Sequence, residues 1–177
     1  EITFPYSALT ADTHVISMTV TDELGETCTD NLVLTIGTPP TVSIISPNGD
    51  TYNEGTPITF EAQVTDSEDP PEDIAVQWES SIGGTFSSQG SDSNGTVLFT
   101  LSDLAQGPHT LIVTAEDSAG LTATDSTTFT VNGLPTAPAV AISPEPAYTD
   151  DALTASASGS SDPENDPISY SFEWLLN

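Results

Sequence analysis

Carboxylates carry almost all the ionic chemistry that this sequence offers at neutral pH. The chain has 177 residues, of which 27 are Asp or Glu and none is Lys or Arg, so its formal net charge is −27. Displacing counterions from nucleic acid requires cationic side chains, and anionic membrane surfaces attract basic segments. We therefore exclude nucleic acid as a partner. No apolar run approaches the roughly 18 residues that insertion into a bilayer needs.

The acidic residues are unevenly spread along the chain. Five of them fall in the eight positions 66–73, whereas residues 27–53 contain only Asp30 and Asp50. Crowded carboxylates repel one another, and this destabilises a fold unless a cation is bound. The chain has no Lys or Arg to supply that cation. Flexible ligand sets made only of oxygen are typical of calcium sites, so the clustering predicts Ca²⁺ as a cofactor.

The predicted metal ligands follow from strand parity. Every second residue is apolar in segments 58–64 and 111–115, so Asp66 and Asp117 continue the inward-facing parity. Counting back in steps of two along the strand 127–131 places Asp125 on the inward-facing side as well. The predicted ligands are Asp66, Glu68, Asp69 and Asp117, with counterparts at Asp22 (and Asp30 behind it) and at Asp162, Glu164 and Asp166.

Two other accounts of the acidic residues remain open. Asp commonly caps turns by accepting hydrogen bonds from nearby backbone N–H groups. A halophilic habitat also favours acidic surfaces, because molar salt shortens the Debye length to about 3 Å. Salt adaptation alone would spread the acidic residues evenly, so their clustering favours a site.

The sequence repeats internally, which divides it into modules. Residues 4–36 align without a gap on residues 99–131 at a shift of 95, and the remainder repeats at a shift of 96 to 97. We predict the C-terminal half of one module at 1–37, a complete module at 38–132 and the N-terminal half of a third at 133–177. Either a longer array has been cropped, or neighbouring chains complete the half-modules.

Apolar residues within the complete module alternate with a period of two, which is typical of half-buried antiparallel strands. The predicted strands lie at 42–45, 58–64, 74–78, 97–101, 111–115 and 127–131. About seven short strands, with Trp78 on the third, predict an all-β fold of tandem immunoglobulin-like Greek-key β-sandwiches. The Pro-bearing junctions 37–41 and 132–138 are stiff spacers, so we expect a rod with a period of about 95 residues.

Three strings resemble polycystic-kidney-disease-type (PKD-like) and related immunoglobulin-like repeats of bacterial and archaeal cell-surface proteins: THVISMTVTDELG, PHTLIVTAEDSAG and ASGSSDPENDPISYSFEW. The resemblance covers essentially the whole chain. It implies spacer or adhesive modules, or accessories of secreted hydrolases, some of which bind Ca²⁺ through Asp residues at one end. PKD repeats often continue the third strand as Trp-Asp-Phe-Gly-Asp-Gly, whereas here Trp78 is followed by ESSIGG.

Few other residues offer chemistry. His14 and His109 are accompanied by no nucleophile elbow and no metal-ligand spacing, so we expect them to pack or to form hydrogen bonds. Trp78 and Trp174 are predicted to fill cores, and Cys28 to be a small buried thiol.

These features together predict a non-enzymatic, extracellular cell-surface protein: a structural segment of a stalk, surface layer or filament, rigidified by calcium at its module junctions. The expected partners are neighbouring modules or copies of the same protein. The sequon at Asn94 predicts N-glycosylation in an exposed loop. One alternative is a cell-adhesion module that binds carbohydrate or protein through exposed aromatics such as Tyr52, Phe86 or Tyr148. The other is an accessory spacer of a secreted hydrolase.

Overall fold

The computed structural model describes residues 2–175, which consist mainly of β-strands. The strands are β1 (Asp12–Thr21), β2 (Thr27–Ile36), β3 (Thr41–Ser46), β4 (Thr51–Asn53), β5 (Ile58–Thr65), β6 (Ala75–Ser80), β7 (Gly84–Ser87), β8 (Thr96–Leu101), β9 (Gly107–Glu116), β10 (Thr122–Asn132), β11 (Ala139–Ser143) and β12 (Thr154–Ser158). A short 3₁₀ helix, Pro71–Asp73, connects β5 to β6. No helix in residues 2–175 has the length and apolarity needed to cross a membrane.

The central part of the chain, residues 41–132, is a two-sheet sandwich. One sheet has the order β3-β5-β8 and the other has the order β4-β10-β9-β6-β7. All strand pairs in these sheets are antiparallel except β4 with β10, which is parallel. The chain crosses from one sheet to the other at every connection except β6–β7 and β9–β10, as in an immunoglobulin-like sandwich. The predicted all-β, immunoglobulin-like fold is confirmed, while the repeat period and the module limits stay predictions.

The core lies between the two sheets and is built from every second residue of the inner strands. Ile58, Phe60, Ala62 and Val64 of β5 are at most 2% exposed. Trp78 of β6 is fully buried and contacts Phe60 edge to face, with ring centroids 5.9 Å apart. Such aromatic pairs stabilise a core by about 0.5–1.5 kcal/mol beyond their area burial. With no disulfide possible, packing of this kind holds the two sheets together.

Two antiparallel hairpins lie outside the sandwich. β1 pairs with β2 over ten residues, and β11 pairs with β12 over five. Cys28 of β2 is exposed, and Trp174, after β12, is 62% exposed. The predictions that these two side chains are buried are therefore wrong. The physical reason is that no second sheet from residues 2–175 packs on either segment.

Candidate functional site

The acidic loop between β5 and β6 begins at Asp66. Its Oδ1 accepts hydrogen bonds from the backbone N–H groups of Glu68 and Asp69, at 2.7 and 2.9 Å. These bonds fold the first turn of the loop in the way that Asp residues commonly do. Its other oxygen, Oδ2, is buried and has no hydrogen-bond partner among the described residues. A buried carboxylate oxygen without a hydrogen-bond donor is energetically costly. A cation or a hydrogen-bond donor beside Oδ2 would therefore stabilise this loop.

Asp69 connects this loop to the turn between β9 and β10. Its Oδ2 accepts a hydrogen bond from the Ser118 backbone N–H at 2.9 Å, and its Oδ1 accepts one from the Ser118 hydroxyl at 3.0 Å. The backbone bond, followed by the hydroxyl bond, lowers the pKa of Asp69. The two loops therefore meet at one end of the sandwich, as the immunoglobulin topology predicts.

Asp117 begins the turn that Ser118 continues. The side chain is 9% exposed, and its Oδ1 accepts hydrogen bonds from the N–H groups of Ala119 and Leu121, both at 2.8 Å. It is thus inward-facing, as its parity predicts, and the hydrogen bonds of its Oδ1 are those of a turn cap.

Glu68 connects the same end of the sandwich to the segment that leads into it. Its Oε2 accepts hydrogen bonds from the Thr38 hydroxyl at 2.8 Å and from the Thr38 N–H at 3.3 Å. The Thr38 hydroxyl bond is the main cause that lowers the pKa of Glu68. One residue earlier, a Cβ added at Gly37 would lie 3.5 Å from Leu121 Cδ1, which is an ordinary van der Waals separation.

An equivalent contact is found at the second junction. Glu164 Oε2 accepts a hydrogen bond from the N–H of Gly133, which follows β10, at 2.9 Å. Thr136 and Ser161 add four further hydrogen bonds between the linker and the loop that holds Glu164. We call the Glu68–Thr38 and Glu164–Gly133 contacts the linker ties. The sequence singled out both glutamates as metal ligands, but it did not indicate these backbone partners.

Four aspartates share one turn geometry. In each, Oδ1 accepts from the N–H groups two and four residues later, and the third residue after the aspartate has a positive φ. The four are Asp22, Asp92, Asp117 and Asp162, followed by Gly25, Gly95, Gly120 and Asn165. Sequence reasoning missed Asp92, although the shared pattern Asp-x-x-Gly or Asp-x-x-Asn would have found it. Its pKa is lowered by the hydrogen bonds from Thr96 and Asn94.

The remaining predicted ligands do not join a common cluster. Among residues 2–175, no group of three or more His, Cys, Asp or Glu side chains has the geometry of a metal site. Asp166 is exposed, and its N–H donates to the Asp162 carboxylate. Asp125 instead connects the two sheets, since its Oδ2 accepts a hydrogen bond from the Ile44 N–H at 2.8 Å. Asp30 is exposed on β2 and accepts from the N–H of Asn31.

His109 is a buried structural group. The ring is 1% exposed and stacks on Phe129 with centroids 4.7 Å apart. Its Nε2 lies 2.7 Å from the Ala105 carbonyl oxygen, which only accepts, so Nε2 carries a proton. Its Nδ1 forms a hydrogen bond of 2.6 Å with the Ser80 hydroxyl. Both ring nitrogens are satisfied within the core, which fits the expected packing role.

Asn94, the predicted glycosylation residue, lies in the turn before β8 and is exposed. Its carbonyl oxygen accepts a hydrogen bond from Gln63 Nε2 at 2.6 Å, and its N–H donates to Asp92. The turn is thus held against β5 while the residue itself faces solvent. This exposure is compatible with the sequon, and its modification stays a prediction.

The fold and this loop geometry can be compared with known proteins. Residues 40–113 match the family described as a bacterial Ig domain. The matched stretch runs from the first linker into β9, so it covers most of the sandwich and includes the loop that begins at Asp66. It supports an immunoglobulin-like domain in this part of the chain. No curated protein sequence matches the chain significantly.

Three solved structures show partial similarity to the chain. An endo-β-1,4-mannanase from Thermotoga petrophila is 20% identical, with a TM-score of 0.43 over 55% of this chain. The S-layer protein SbsC domains 4 and 5 are 14% identical, with a TM-score of 0.35 over 71% of this chain and 74% of theirs. A longer SbsC structure is 13% identical, with a TM-score of 0.32 over 93% of this chain and 25% of its own. The chain spans only 20% of the length of the mannanase.

Proposed function

We propose that this chain is a structural, non-enzymatic segment of an extracellular surface protein, in which immunoglobulin-like modules form a stiff acidic spacer of a stalk, surface layer or filament. The match to a bacterial Ig domain supports the surface location. The linker ties carry the proposal, because a spacer transmits orientation only if its junctions resist bending. At each junction, a glutamate of the loop accepts a hydrogen bond from the backbone of the linker.

The first junction has three hydrogen-bond contacts that oppose bending. Glu68 accepts two hydrogen bonds from Thr38, and the Thr38 hydroxyl also lies 2.7 Å from the Ser67 hydroxyl. Pro39 and Pro40 follow, and Pro40 is buried. Proline fixes φ, so the backbone of the junction has few conformations available to it. These features favour a fixed angle between the β1–β2 hairpin and the sandwich.

A distance measurement between spin labels tests this stiffness. One label is attached to Cys28, which is exposed on β2, and the other to a Thr59→Cys variant on the exposed side of β5. We expect a single narrow distance distribution between the two labels, and a broader one when Glu68→Ala removes the first linker tie. Glu164→Ala is the matched control, because it removes the tie at the other junction and should leave this distribution unchanged. A broad distribution in the parent chain would argue against a stiff spacer.

We further propose that calcium binds at the junction end of the sandwich, where it would neutralise the acidic loop. The buried, partnerless Oδ2 of Asp66 supports this part. Since carboxylates, carbonyls and water all ligate Ca²⁺, Asp66 would contribute a carboxylate oxygen. Asp69 of the same loop is hydrogen-bonded to Ser118 on the adjoining turn, which Asp117 begins. Oδ1 of Asp66 and Oδ1 of Asp117 each accept two N–H groups, so their Oδ2 atoms are the ones that would ligate a cation. The chemistry of the donor set therefore fits a hard cation.

A further inference from the structure

Three asparagines of this chain are followed directly by glycine: Asn48, Asn94 and Asn132. In such a pair, the glycine nitrogen can attack the asparagine side-chain carbon Cγ and close a five-membered succinimide ring. Glycine has no Cβ to hinder that approach. The nitrogen must give up its proton as it attacks, so the group that accepts its hydrogen bond decides how readily the ring closes.

The three glycine N–H groups have different acceptors. Those of Gly49 and Gly95 donate to backbone carbonyl oxygens, at 2.8 and 2.9 Å. That of Gly133 donates to the Glu164 carboxylate at 2.9 Å. A carboxylate within hydrogen-bond reach can take up a proton as a general base, whereas a peptide carbonyl is far too weak a base to do so at neutral pH. Of the three pairs, the one at Asn132 therefore has a base in place.

The Asn132 side chain lies beside the peptide bond that it would react with. Its Nδ2 donates a hydrogen bond to the Gly133 carbonyl oxygen at 3.4 Å, so the side-chain amide is turned toward Gly133. The backbone carbonyl of Asn132 accepts the Glu54 N–H at 2.8 Å. Linked hydrogen bonds polarise one another, and a donor at this carbonyl makes the proton on the Gly133 nitrogen easier to remove.

We propose that Asn132 is a site of self-catalysed deamidation, with Glu164 as the general base. The Gly133 nitrogen forms a bond to Asn132 Cγ while its proton passes to the Glu164 carboxylate. The bond between Cγ and Nδ2 then breaks, and the proton that Glu164 returns lets the amide nitrogen leave as ammonia. Water opens the succinimide at either of its carbonyl groups, which leaves an aspartate or an isoaspartate at this position.

The reaction acts on the second linker tie. The succinimide nitrogen has no hydrogen to donate to Glu164, and each final product adds a negative charge one residue before Gly133. Like charges repel, so we expect the second junction to lose its tie irreversibly once Asn132 has reacted. This consequence rests on the proposed stiff spacer, whereas the reaction itself does not.

Peptide mapping of the folded 177-residue chain during incubation at neutral pH tests the reaction. The chain is cleaved at its acidic residues, and mass spectrometry follows the conversion of amide to acid at each Asn-Gly pair. We expect Asn132 to react at least about tenfold faster than Asn48 and Asn94, since a positioned general base commonly contributes about 10²- to 10⁴-fold. In urea the three rates should become similar, because the fold no longer places Glu164 at Gly133. An Asn132 rate no higher than the other two would overturn the inference, and so would an advantage that persists in urea.

Two matched variants test the role of Glu164. Glu164→Gln keeps an oxygen that accepts the Gly133 N–H but cannot take up its proton, so the rate at Asn132 should fall by about tenfold or more. Glu54→Gln removes the same charge at the same junction, where Glu54 accepts the Leu134 N–H at 3.4 Å, and should leave that rate unchanged. If both variants slow the reaction equally, or if neither does, Glu164 is not the base.

Hydrogen exchange at the Gly133 N–H measures the linker tie after reaction. Asn132→Asp has the charge of the product, so this N–H should exchange several-fold faster than in the parent chain. Asn48→Asp is the matched control, because it adds the same charge outside the junction and should leave the exchange unchanged. Unchanged exchange in Asn132→Asp would contradict the loss of the tie. A broad spin-label distribution at the first junction would instead count against the stiff spacer, and the deamidation rates would be unaffected.

Discussion

Aspartates act in this chain mainly through their backbone neighbours. The turns that begin at Asp22, Asp92, Asp117 and Asp162 all use one carboxylate oxygen to accept two N–H groups. The residue three positions later adopts a positive φ, which favours glycine because it has no Cβ. An acidic composition therefore has a structural use here that does not depend on any bound cation.

Gly95 in one of these turns has an additional steric requirement. Its φ is +81°, and a Cβ at this position would collide with the carbonyl oxygen of Val64. Its own carbonyl oxygen accepts the Val64 N–H at 2.8 Å, so the turn cannot move away without breaking that bond. We expect Gly95→Ala to lower the free energy of unfolding by about 3 kcal/mol or more.

Gly120 provides the matched control for this prediction. Its φ is also +81°, but nothing lies within 4 Å of the place where its Cβ would be. Gly120→Ala should therefore cost only the left-handed backbone penalty, about 1–2 kcal/mol. Urea unfolding of both variants measures the difference. If Gly95→Ala and Gly120→Ala lose the same free energy of unfolding, the close approach to Val64 does not contribute to the cost.

For individual residues, the alternation of apolar positions predicted the orientation of several side chains correctly. It placed Asp117 on the inward parity, and the structure buries that residue. It did not predict what the carboxylate oxygens bind, because N–H donors in the following turn depend on backbone dihedrals rather than on residue type. Asp92 was missed for a related reason: it precedes β8 instead of following a strand, and only the glycine three residues later indicates its role.

Among the elements, the six predicted strands correspond to six of the strands in the sandwich, whereas β4 and β7 were not predicted. These two have three and four residues and lie at the edges of the five-stranded sheet. Such short segments contain too few residues for a period of two to be visible. The exposure of β1–β2 was not predictable either, since its sequence pattern is that of β9–β10, and burial depends on which sheet covers it.

The turn before β8 makes a prediction about pH. Hydrogen bonds from the N–H groups of Thr96 and Asn94 lower the pKa of Asp92 in the folded protein. A group whose folded pKa is depressed stabilises the fold above its unfolded pKa, near 3.9 for Asp, and this contribution is lost as the pH falls through the folded value. We expect Asp92→Asn to reduce the acid-induced loss of stability below about pH 4.

Melting temperatures from pH 7 down to pH 2 measure this effect. The control is Asp103→Asn, which removes the same charge from an exposed loop residue between β8 and β9. If the melting temperatures of Asp92→Asn and Asp103→Asn depend on pH in the same way, the hydrogen bonds from Thr96 and Asn94 do not make the charge of Asp92 stabilise the fold.

For the whole molecule, the net charge of −27 opposes folding and association alike. Self-repulsion destabilises a compact state. Since the chain has no Lys or Arg, dissolved ions are what reduces the repulsion between its carboxylates. Monovalent salt should raise the melting temperature gradually, because screening acts on all the exposed carboxylates together.

Calcium should act differently if it binds at Asp66. A ligand that binds only the folded state stabilises it by about 2.7 kcal/mol when its free concentration is 100 times Kd, so the melting temperature should rise at calcium concentrations that change ionic strength little. Scanning calorimetry in CaCl₂, in NaCl of equal ionic strength and in EDTA measures this.

Asp66→Asn keeps an oxygen for the Glu68 and Asp69 N–H groups but replaces Oδ2 by an amide nitrogen, so its response to calcium should vanish. Asp103→Asn controls for the lost charge and should respond as the parent chain does. If NaCl of equal ionic strength reproduces the effect of CaCl₂, the acidic residues serve salt adaptation, and the stiffness of the junctions comes from the linker ties alone.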